Sequence, residues 1–153
     1  MEVLIRAARP GDIPRMAELL AGLFSIETDF TPDVETQIRG LSVLVAGPPG
    51  RSCVLVAEQR GMVAGMATVQ TLISTAEGGR VGLVEDLVVA EEFRSQGIGR
   101  RLLEAVVVWS RSAGLKRLQL LADQANDPAL RFYQHAGWER TNMICLRKLL
   151  RSS

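Results

Sequence analysis

The chain has 153 residues, the usual length of one domain, so we expect a single domain over residues 1–153. Its 47% hydrophobic and 23% charged residues are typical of a globular protein that buries a real core. A net charge of +1 argues against a strongly basic nucleic-acid-binding protein. No apolar run approaches the roughly 20 residues that cross a bilayer, and the first residues lack an apolar signal segment, so we expect a cytoplasmic protein with no membrane partner.

The cysteines and the histidine give few candidates for metal ligands. Cys53 and Cys145 lie far apart in apolar stretches, so we expect two buried thiols rather than a disulfide. His135 is the only histidine and no Cys-x-x-Cys pair is present, so no metal site is expected.

Hydrophobic periodicity and turn residues divide the first half of the chain into a strand, two helices and a three-stranded meander. In order these are a strand Glu2–Ala8, a helix from Asp12 to about Phe24, a loop Phe24–Pro32, a helix from Asp33 towards Val45, and strands Ser52–Glu58, Val63–Ile73 and Val81–Val89. The second half predicts a helix Gly97–Ser112, a strand Leu115–Ala122, a short helix Asp127–Ala136 and a final strand pair within Gly137–Leu149. Antiparallel strands followed by a strand–helix–strand crossover indicate an α/β fold with a mixed sheet.

The segment Val84–Arg100 joins a strand to a long helix through a loop that contains glycine. Because Gly97 and Gly99 have no side chains, a phosphate can approach the backbone there, where free N–H groups and the helix dipole favour an anion. Arg94, Arg100 and Arg101 add charged donors. These residues predict a site for a pyrophosphate or a similar anion.

Three kinds of phosphate-binding loop are candidates. A P-loop needs Gly-Lys-Ser/Thr at the helix start, which is absent. A dinucleotide fingerprint needs a third glycine, but this chain has Leu102 at that position. It also needs to follow an opening parallel strand, whereas here the motif follows the predicted meander. Asp123 does lie at about the place of a ribose-binding acid, so this alternative stays open. The third candidate fits better, because Arg94-x-x-Gly97-x-Gly99 matches the Gln/Arg-x-x-Gly-x-Gly/Ala signature of the GNAT superfamily of N-acetyltransferases.

A second segment extends this likeness. The run from Asn126 to Trp138 resembles the Asn-x-x-Ala-x-x-Phe-Tyr-x-x-x-Gly-Phe segment of GNAT proteins, with Trp138 in place of the usual Phe. Two motifs in the right order, about 30 residues apart, make the chain similar to a GNAT domain over nearly its whole length.

The resemblance implies a GNAT-type fold: a mixed, mostly antiparallel sheet of about seven strands with about four helices and a V-shaped splay between the fourth and fifth strands. Those strands, Val81–Val89 and Leu115–Ala122, should be parallel and adjacent, with the Gly97 helix starting at their open end. GNAT proteins usually carry a bulge in the fourth strand, next to Glu85 and Asp86 here.

The resemblance also implies acetyl-CoA as the cosubstrate, without a metal. Its pantetheine arm would pair with the main chain of the fourth strand and its pyrophosphate would meet the loop amides. Asn126 matches a position that often contacts the cofactor, and it is also a plausible helix N-cap. The implied cofactor-binding residues are Leu87, Val88, Val89, Arg94, Ser95, Gln96, Gly97, Ile98, Gly99, Arg100 and Asn126.

Two residues are candidates for proton transfer. Tyr133 matches the GNAT tyrosine that commonly protonates the departing CoA thiolate. Alternatively, Tyr133 is a core residue that only lines the cofactor. Glu85 is the preferred general base, which would remove a proton from the amine through a water molecule. Asp86 would then be a substrate contact or a structural hydrogen bonder. The reverse assignment of the two carboxylates stays open. His135 is two positions from Tyr133 on one helix, which favours a surface role.

The expected reaction is transfer of an acetyl group to a primary amine of a small molecule, by direct attack in a ternary complex. Glu27 and Asp29, in the Phe24–Pro32 loop, are candidate contacts for a cationic acceptor. The alternatives are a protein N-terminal or lysine acetyltransferase and a non-catalytic acyl-CoA-binding module. No nucleic-acid partner is expected, and a homodimer stays open.

Overall fold

The computed structural model describes residues 2–26 and 33–151, which form five strands and four α-helices. In chain order they are β1 Leu4–Ala7, α1 Ile13–Ile26, α2 Val34–Val45, β2 Ser52–Gln59, β3 Met62–Ser74, β4 Gly79–Val89, α3 Ile98–Ser112, β5 Leu118–Leu120 and α4 Asp127–His135. The chain divides into two compact units, Met1–Leu120 and Leu121–Ser153. No helix in the described ranges is long and apolar enough to cross a membrane.

The first unit contains a five-stranded mixed sheet in the order β1-β2-β3-β4-β5. The first three neighbouring pairs are antiparallel, and β4 pairs parallel with β5. The helix α3 connects these two parallel strands. The predicted crossover is therefore confirmed, because the fourth and fifth strands are adjacent and parallel.

The helices α1 and α2 bury their apolar stripes against one face of this sheet. Met16 of α1 and Leu41 of α2 belong to the same buried cluster as Val56 and Met66 of the central strands. Burying an apolar side chain of this size stabilises the fold by about 1.5–3 kcal/mol.

Gly65 of β3 allows α3 to approach the sheet closely. A Cβ at Gly65 would lie 3.1 Å from Leu102 Cδ1 of α3 and 2.9 Å from the carbonyl O of Val88. Only glycine leaves enough room there without displacing the backbone of β4.

Local residues set several helix ends. Asp33 caps α2 by accepting from the Thr36 N–H (3.3 Å), and Gly114 follows α3 with a φ of +78°. The helix α1 continues to Ile26, so the prediction that the loop starts at Phe24 was wrong. Helical propensity continues through Phe24-Ser25-Ile26, which contains no Gly or Pro to stop it. The rest of the predicted loop lies outside the described residues.

The predicted final strand pair within Gly137–Leu149 is wrong: residues 137–151 form no strand, and the described sheet has five strands rather than about seven. The apolar residues from Met143 onwards are exposed, among them Met143 (81%), Ile144 (74%) and Leu146 (86%). Alternation shows which side chains share a face of a strand, but a strand also needs a pairing partner. For the same reason β5 is only three residues long, matching the three β4 residues with which it pairs.

Candidate functional site

The strand β4 carries a bulge at Glu85. Val84 lies opposite Val69 and Asp86 lies opposite Thr68, so Glu85 is an extra residue on β4 without an opposite residue on β3. A bulge changes which face of the sheet the following side chains occupy. The Glu85 side chain is exposed and the Asp86 side chain is partly buried. The bulge expected in this strand is confirmed.

Asp86 forms hydrogen bonds with Thr68 of the neighbouring strand β3. Its carboxylate oxygen Oδ2 accepts from Thr68 Oγ1 (3.0 Å), and its backbone N–H donates to the same Oγ1 (3.2 Å). Thr68 is completely buried. Of the two roles considered for Asp86, the structural hydrogen bond is thus observed.

The last five residues of β4 form an edge in the first unit. The pairing of β4 with β5 covers Gly82–Val84, whereas β4 continues to Val89. In residues 2–26 and 33–120 no strand pairs with Glu85–Val89 on the β5 side. The Asp86 N–H and the Val89 carbonyl O already have partners, and other main-chain groups along this edge can bind an extended ligand.

The loop between β4 and α3 has an unusual backbone. Ser95 has a φ of +66° and Gly97 a φ of +79°, both in the left-handed region. A residue other than glycine adopts this conformation at a cost of about 1–3 kcal/mol, and such residues cluster at functional sites. Arg94 Nε donates to the carbonyl O of Val89 (3.1 Å), which connects the start and the end of the turn.

The N-terminus of α3 has no side-chain cap. Gly97 occupies the N-cap position, and the first bond within the helix runs from the Arg101 N–H to the Gly97 carbonyl O (3.1 Å). The N–H groups of the residues between them have no acceptor within the helix and can bind an anion. A Cβ at Gly97 would meet no atom within 4 Å, so the space beside this N-cap residue is open.

The two arginines at the start of α3 differ in their contacts. Arg100 is exposed and pairs with Glu104 one helical turn away (3.3 Å). Arg101 Nη1 donates to the carbonyl O of Val3 (2.8 Å) and so connects α3 with the start of the chain. One N–H of the Arg101 guanidinium is thus used within the fold, and the expectation that Arg101 is an anion donor stays a prediction.

A pocket of about 410 Å³ lies between α1 and the end of β4. Arg15 spans it by pairing with Glu18 (3.0 Å) and with Glu92 (3.3 Å). The residues that line the pocket are Arg15, Glu18, Leu19, Gly22, Val88, Val89, Ala90, Glu91, Glu92 and Arg94. It therefore brings three predicted cofactor residues, Val88, Val89 and Arg94, together with charged side chains of α1.

The second unit holds the other two predicted site residues on one helix. Asn126 caps α4, because its Oδ1 accepts from the Ala129 N–H (3.2 Å). Tyr133 is partly buried, and its ring packs edge-to-face on Phe132 (5.2 Å between ring centroids) and on Trp138 (6.0 Å). The N-cap role considered for Asn126 is confirmed, and Tyr133 has a fixed aromatic setting within α4.

The family model of the acetyltransferase (GNAT) family matches residues 14–138. The chain belongs to the GNAT family of acetyltransferases. This GNAT N-acetyltransferase carries the glycine loop, the bulged β4 strand and the Asn126–Trp138 segment inside the matched range.

Similar proteins agree with this assignment. The chain is 28% identical to an aminoglycoside N(6')-acetyltransferase type 1 of Stenotrophomonas maltophilia over 143 residues, which cover 92% of this chain and 88% of that protein. Two solved structures share the fold. A transcriptional regulator of Bacillus halodurans has a TM-score of 0.82 at 22% identity, covering 97% of this chain and 100% of that one. An aminoglycoside acetyltransferase from an uncultured soil sample has a TM-score of 0.76 at 22% identity, covering 97% of each chain.

The remaining predicted residues of the GNAT enzyme have different outcomes. Glu27 and Asp29 lie outside the described residues. Cys145 is exposed and Cys53 is only half-buried, so the prediction of two buried thiols was wrong; the segment around Cys145 pairs with no strand. Burial raises the pKa of the Cys53 thiol to about 11, which keeps it protonated at neutral pH. His135 is exposed in the last turn of α4, as expected for a surface residue.

Sequence reasoning missed two groups of residues at this site. Arg15 and Glu18 line the pocket, but on sequence alone they belong to the polar face of an amphipathic helix and carry no signal of function. Thr68 had a detectable signal, because it is a lone hydroxyl in the apolar stretch Val63–Val69.

Proposed function

We propose that this protein is an acetyl-CoA-dependent N-acetyltransferase that acts on a primary amine of a small molecule by direct attack in a ternary complex. The observation that carries the proposal is the continuous path from the bulge at Glu85, along the edge Leu87–Val89, to the uncapped start of α3. The whole chain would act as one N-acetyltransferase domain, with β4 and β5 splayed apart beyond their three paired residues.

The residues of this path fit acetyl-CoA. The main chain of Leu87–Val89 would pair with the amides of the pantetheine arm, since this edge has backbone groups available. The amides from Ser95 to Arg100 would bind the pyrophosphate, where the side chains of Arg94 and Arg100 are exposed. Bound acetyl-CoA would supply an activated acetyl group as a thioester.

Glu85 is the proposed base. A primary amine is mostly protonated at pH 7 and must lose a proton before it attacks. The bulge places Glu85 on the exposed side of β4, where water can reach its carboxylate. Asp86 is already bonded to Thr68, so it is better suited to hold the strand than to accept this proton.

Tyr133 is the proposed acid. Its phenolic O–H can donate a proton to a thiolate that forms beside it. The rings of Phe132 and Trp138 fix the orientation of the Tyr133 ring within α4. Asn126, which begins the same helix, is proposed as a further cofactor contact.

The pocket between α1 and β4 supports an amine as the acceptor. Three carboxylates and two guanidiniums line it, so a cation is not repelled. The similar aminoglycoside acetyltransferases are named for small molecules that carry several amines. Glu27 and Asp29 are proposed as further contacts for this cation.

A screen for CoA release tests the proposal. The protein is incubated with acetyl-CoA and, in parallel, with aminoglycosides, polyamines, amino sugars and peptides bearing a free N-terminus or lysine. Small amines should release CoA and peptides should not. Release with peptides alone would favour a protein acetyltransferase, and CoA binding without any release would favour a non-catalytic module.

Glu85→Gln is the matching variant for the base. Loss of the general base should lower kcat by roughly 10²–10⁴-fold at neutral pH, without weakening acetyl-CoA binding. Glu35→Gln, which changes an exposed carboxylate on α2 outside the lining of the pocket, is the control. If both variants turn over like the unmodified enzyme, Glu85 is not the base.

A further inference from the structure

Thr68 is an unexpected residue at its place in β3. Seven consecutive residues, Val63–Val69, are buried, and Thr68 is the only one with a polar side chain. It is 0% exposed. Valine has nearly the same shape and would avoid the cost of burying a hydroxyl, so the hydroxyl requires a specific partner.

That partner is Asp86, and two hydrogen bonds join the two residues. Thr68 Oγ1 donates to Asp86 Oδ2 (3.0 Å) and accepts from the Asp86 N–H (3.2 Å). The pair lies directly at the step in register between Thr68 and Val69, beside the extra residue Glu85. A side chain of β3 thus holds both the main chain and the carboxylate of the residue that follows the bulge.

A bulge needs such a contact because its extra residue has no opposite partner to fix it. Without the bond at Asp86, β4 can relax towards regular pairing, and a shift of one residue exchanges the two faces of the strand. Glu85 would then leave its exposed position, and Asp86 would lose its place opposite Thr68.

We propose that Thr68 is a positioning residue for acetyl transfer: through Asp86 it fixes the β4 bulge, and thereby the position of the Glu85 carboxylate and of the main chain beside it. This inference rests on the proposed function, in which Glu85 and the β4 edge form the reaction site. Thr68 itself is buried beneath that site and does not touch the substrate.

The test compares Thr68→Val with Thr68→Ser. The valine variant keeps the shape but loses both hydrogen bonds, so kcat should fall about 10- to 100-fold through misplacement of the reacting groups, a larger change than the rise in KM for acetyl-CoA. The serine variant keeps the hydroxyl and should restore most of kcat. Turnover is measured as CoA release with the small amine that reacts fastest in the screen.

Thr71→Val is the matched control on the same strand. Thr71 Oγ1 donates to the carbonyl O of Arg51 (3.0 Å), away from the bulge, so this variant also loses a hydroxyl bond of β3. Its kcat should stay unchanged. A loss equal to that of Thr68→Val, or a serine variant as slow as the valine variant, would overturn the proposal.

Amide hydrogen exchange gives a readout that needs no acceptor. The Asp86 N–H should exchange faster in Thr68→Val than in Thr68→Ser, while the amides of β1, away from the bulge, keep their rates. Thr68→Ala takes the place of the valine variant if that protein fails to fold. Unchanged exchange at Asp86 would contradict the proposed contact.

The variant Glu85→Gln separates this inference from the proposed base. If Glu85→Gln is slow and Thr68→Val is not, the base stands and the positioning role falls. If Glu85→Gln is normal and Thr68→Val is slow, Thr68 acts through the main chain of the bulge and the base assignment falls. If both are slow, the double variant should be no slower than Glu85→Gln alone.

Discussion

In the proposed reaction, Tyr133 donates the proton that the departing CoA thiolate receives. Tyr133→Phe removes the phenolic proton while keeping the ring that packs on Phe132 and Trp138. We expect kcat to fall by roughly 10²-fold, with little change in KM for acetyl-CoA, because only the proton donor is lost. Steady-state measurement of thiol release tests this. An unchanged kcat would leave Tyr133 as a packing residue.

Asp12 provides a prediction about stability and pH. Arg6 donates from two nitrogens to its two oxygens (2.8 and 3.0 Å), and these hydrogen bonds hold the pKa of Asp12 below its ordinary value. A lowered pKa contributes stability that is present above the ordinary aspartate pKa of about 3.9 and is lost as the pH falls further. Asp12→Asn should therefore lower the free energy of unfolding by about 1–3 kcal/mol at pH 7.

Urea unfolding at several pH values measures this difference. It should shrink progressively below about pH 4, where Asp12 of the unfolded chain becomes protonated while the folded protein still holds it charged. Glu104→Gln is the control, because the Arg100–Glu104 pair is exposed and should contribute little. A difference that stays constant down to pH 2 would contradict the role of the Arg6–Asp12 pair.

At the scale of the element, the start of α3 offers the clearest test of cofactor binding. The structure separates two glycines that sequence reasoning treated alike. Gly97 has a φ of +79°, so alanine there would strain the backbone by roughly 1–2 kcal/mol. Gly99 lies inside the first turn of α3, where alanine favours the helix. Gly99→Ala is therefore the variant that tests binding without loss of stability.

Gly99→Ala should weaken CoA binding by about 1–3 kcal/mol, because its Cβ obstructs the approach of phosphate to the helix amides. CoA raises the melting temperature of a protein that binds it, and this rise should shrink in the variant. Gly40→Ala in α2 is the control: it also adds a Cβ to a helix, with no atom within 4 Å. An undiminished rise in Gly99→Ala would place the pyrophosphate elsewhere.

At the scale of the whole molecule, the prediction concerns the order of chemical events. Direct attack by the amine requires no acetylated enzyme, and the raised pKa of Cys53 leaves its thiol a poor nucleophile. Incubation with acetyl-CoA but no acceptor should leave the mass of the intact protein unchanged. A gain of one acetyl group that Cys145→Ser abolishes would show instead that the exposed thiol of Cys145 reacts.

Much of the site-bearing architecture followed from the sequence, because it depends on residues close together in the chain. The alternating strands, the start of α2 at Asp33, the cap at Asn126 and the glycine loop before α3 are local features that the structure confirms. The family motifs around Gly97 and Tyr133 were equally visible, since each occupies a continuous segment.

Only the tertiary structure decided which residues meet across strands. The position of the bulge at Glu85 depends on the register of β4 against β3, and the bond from Thr68 to Asp86 joins residues 18 positions apart. The contact of Arg101 with Val3 joins residues 98 positions apart in the chain. Residues 137–151 form no strand because no distant segment of the described chain pairs with them. Periodicity specifies the face of a side chain, but pairing between distant segments determines register, strand length and burial, and these in turn set the position of Glu85, the proposed base.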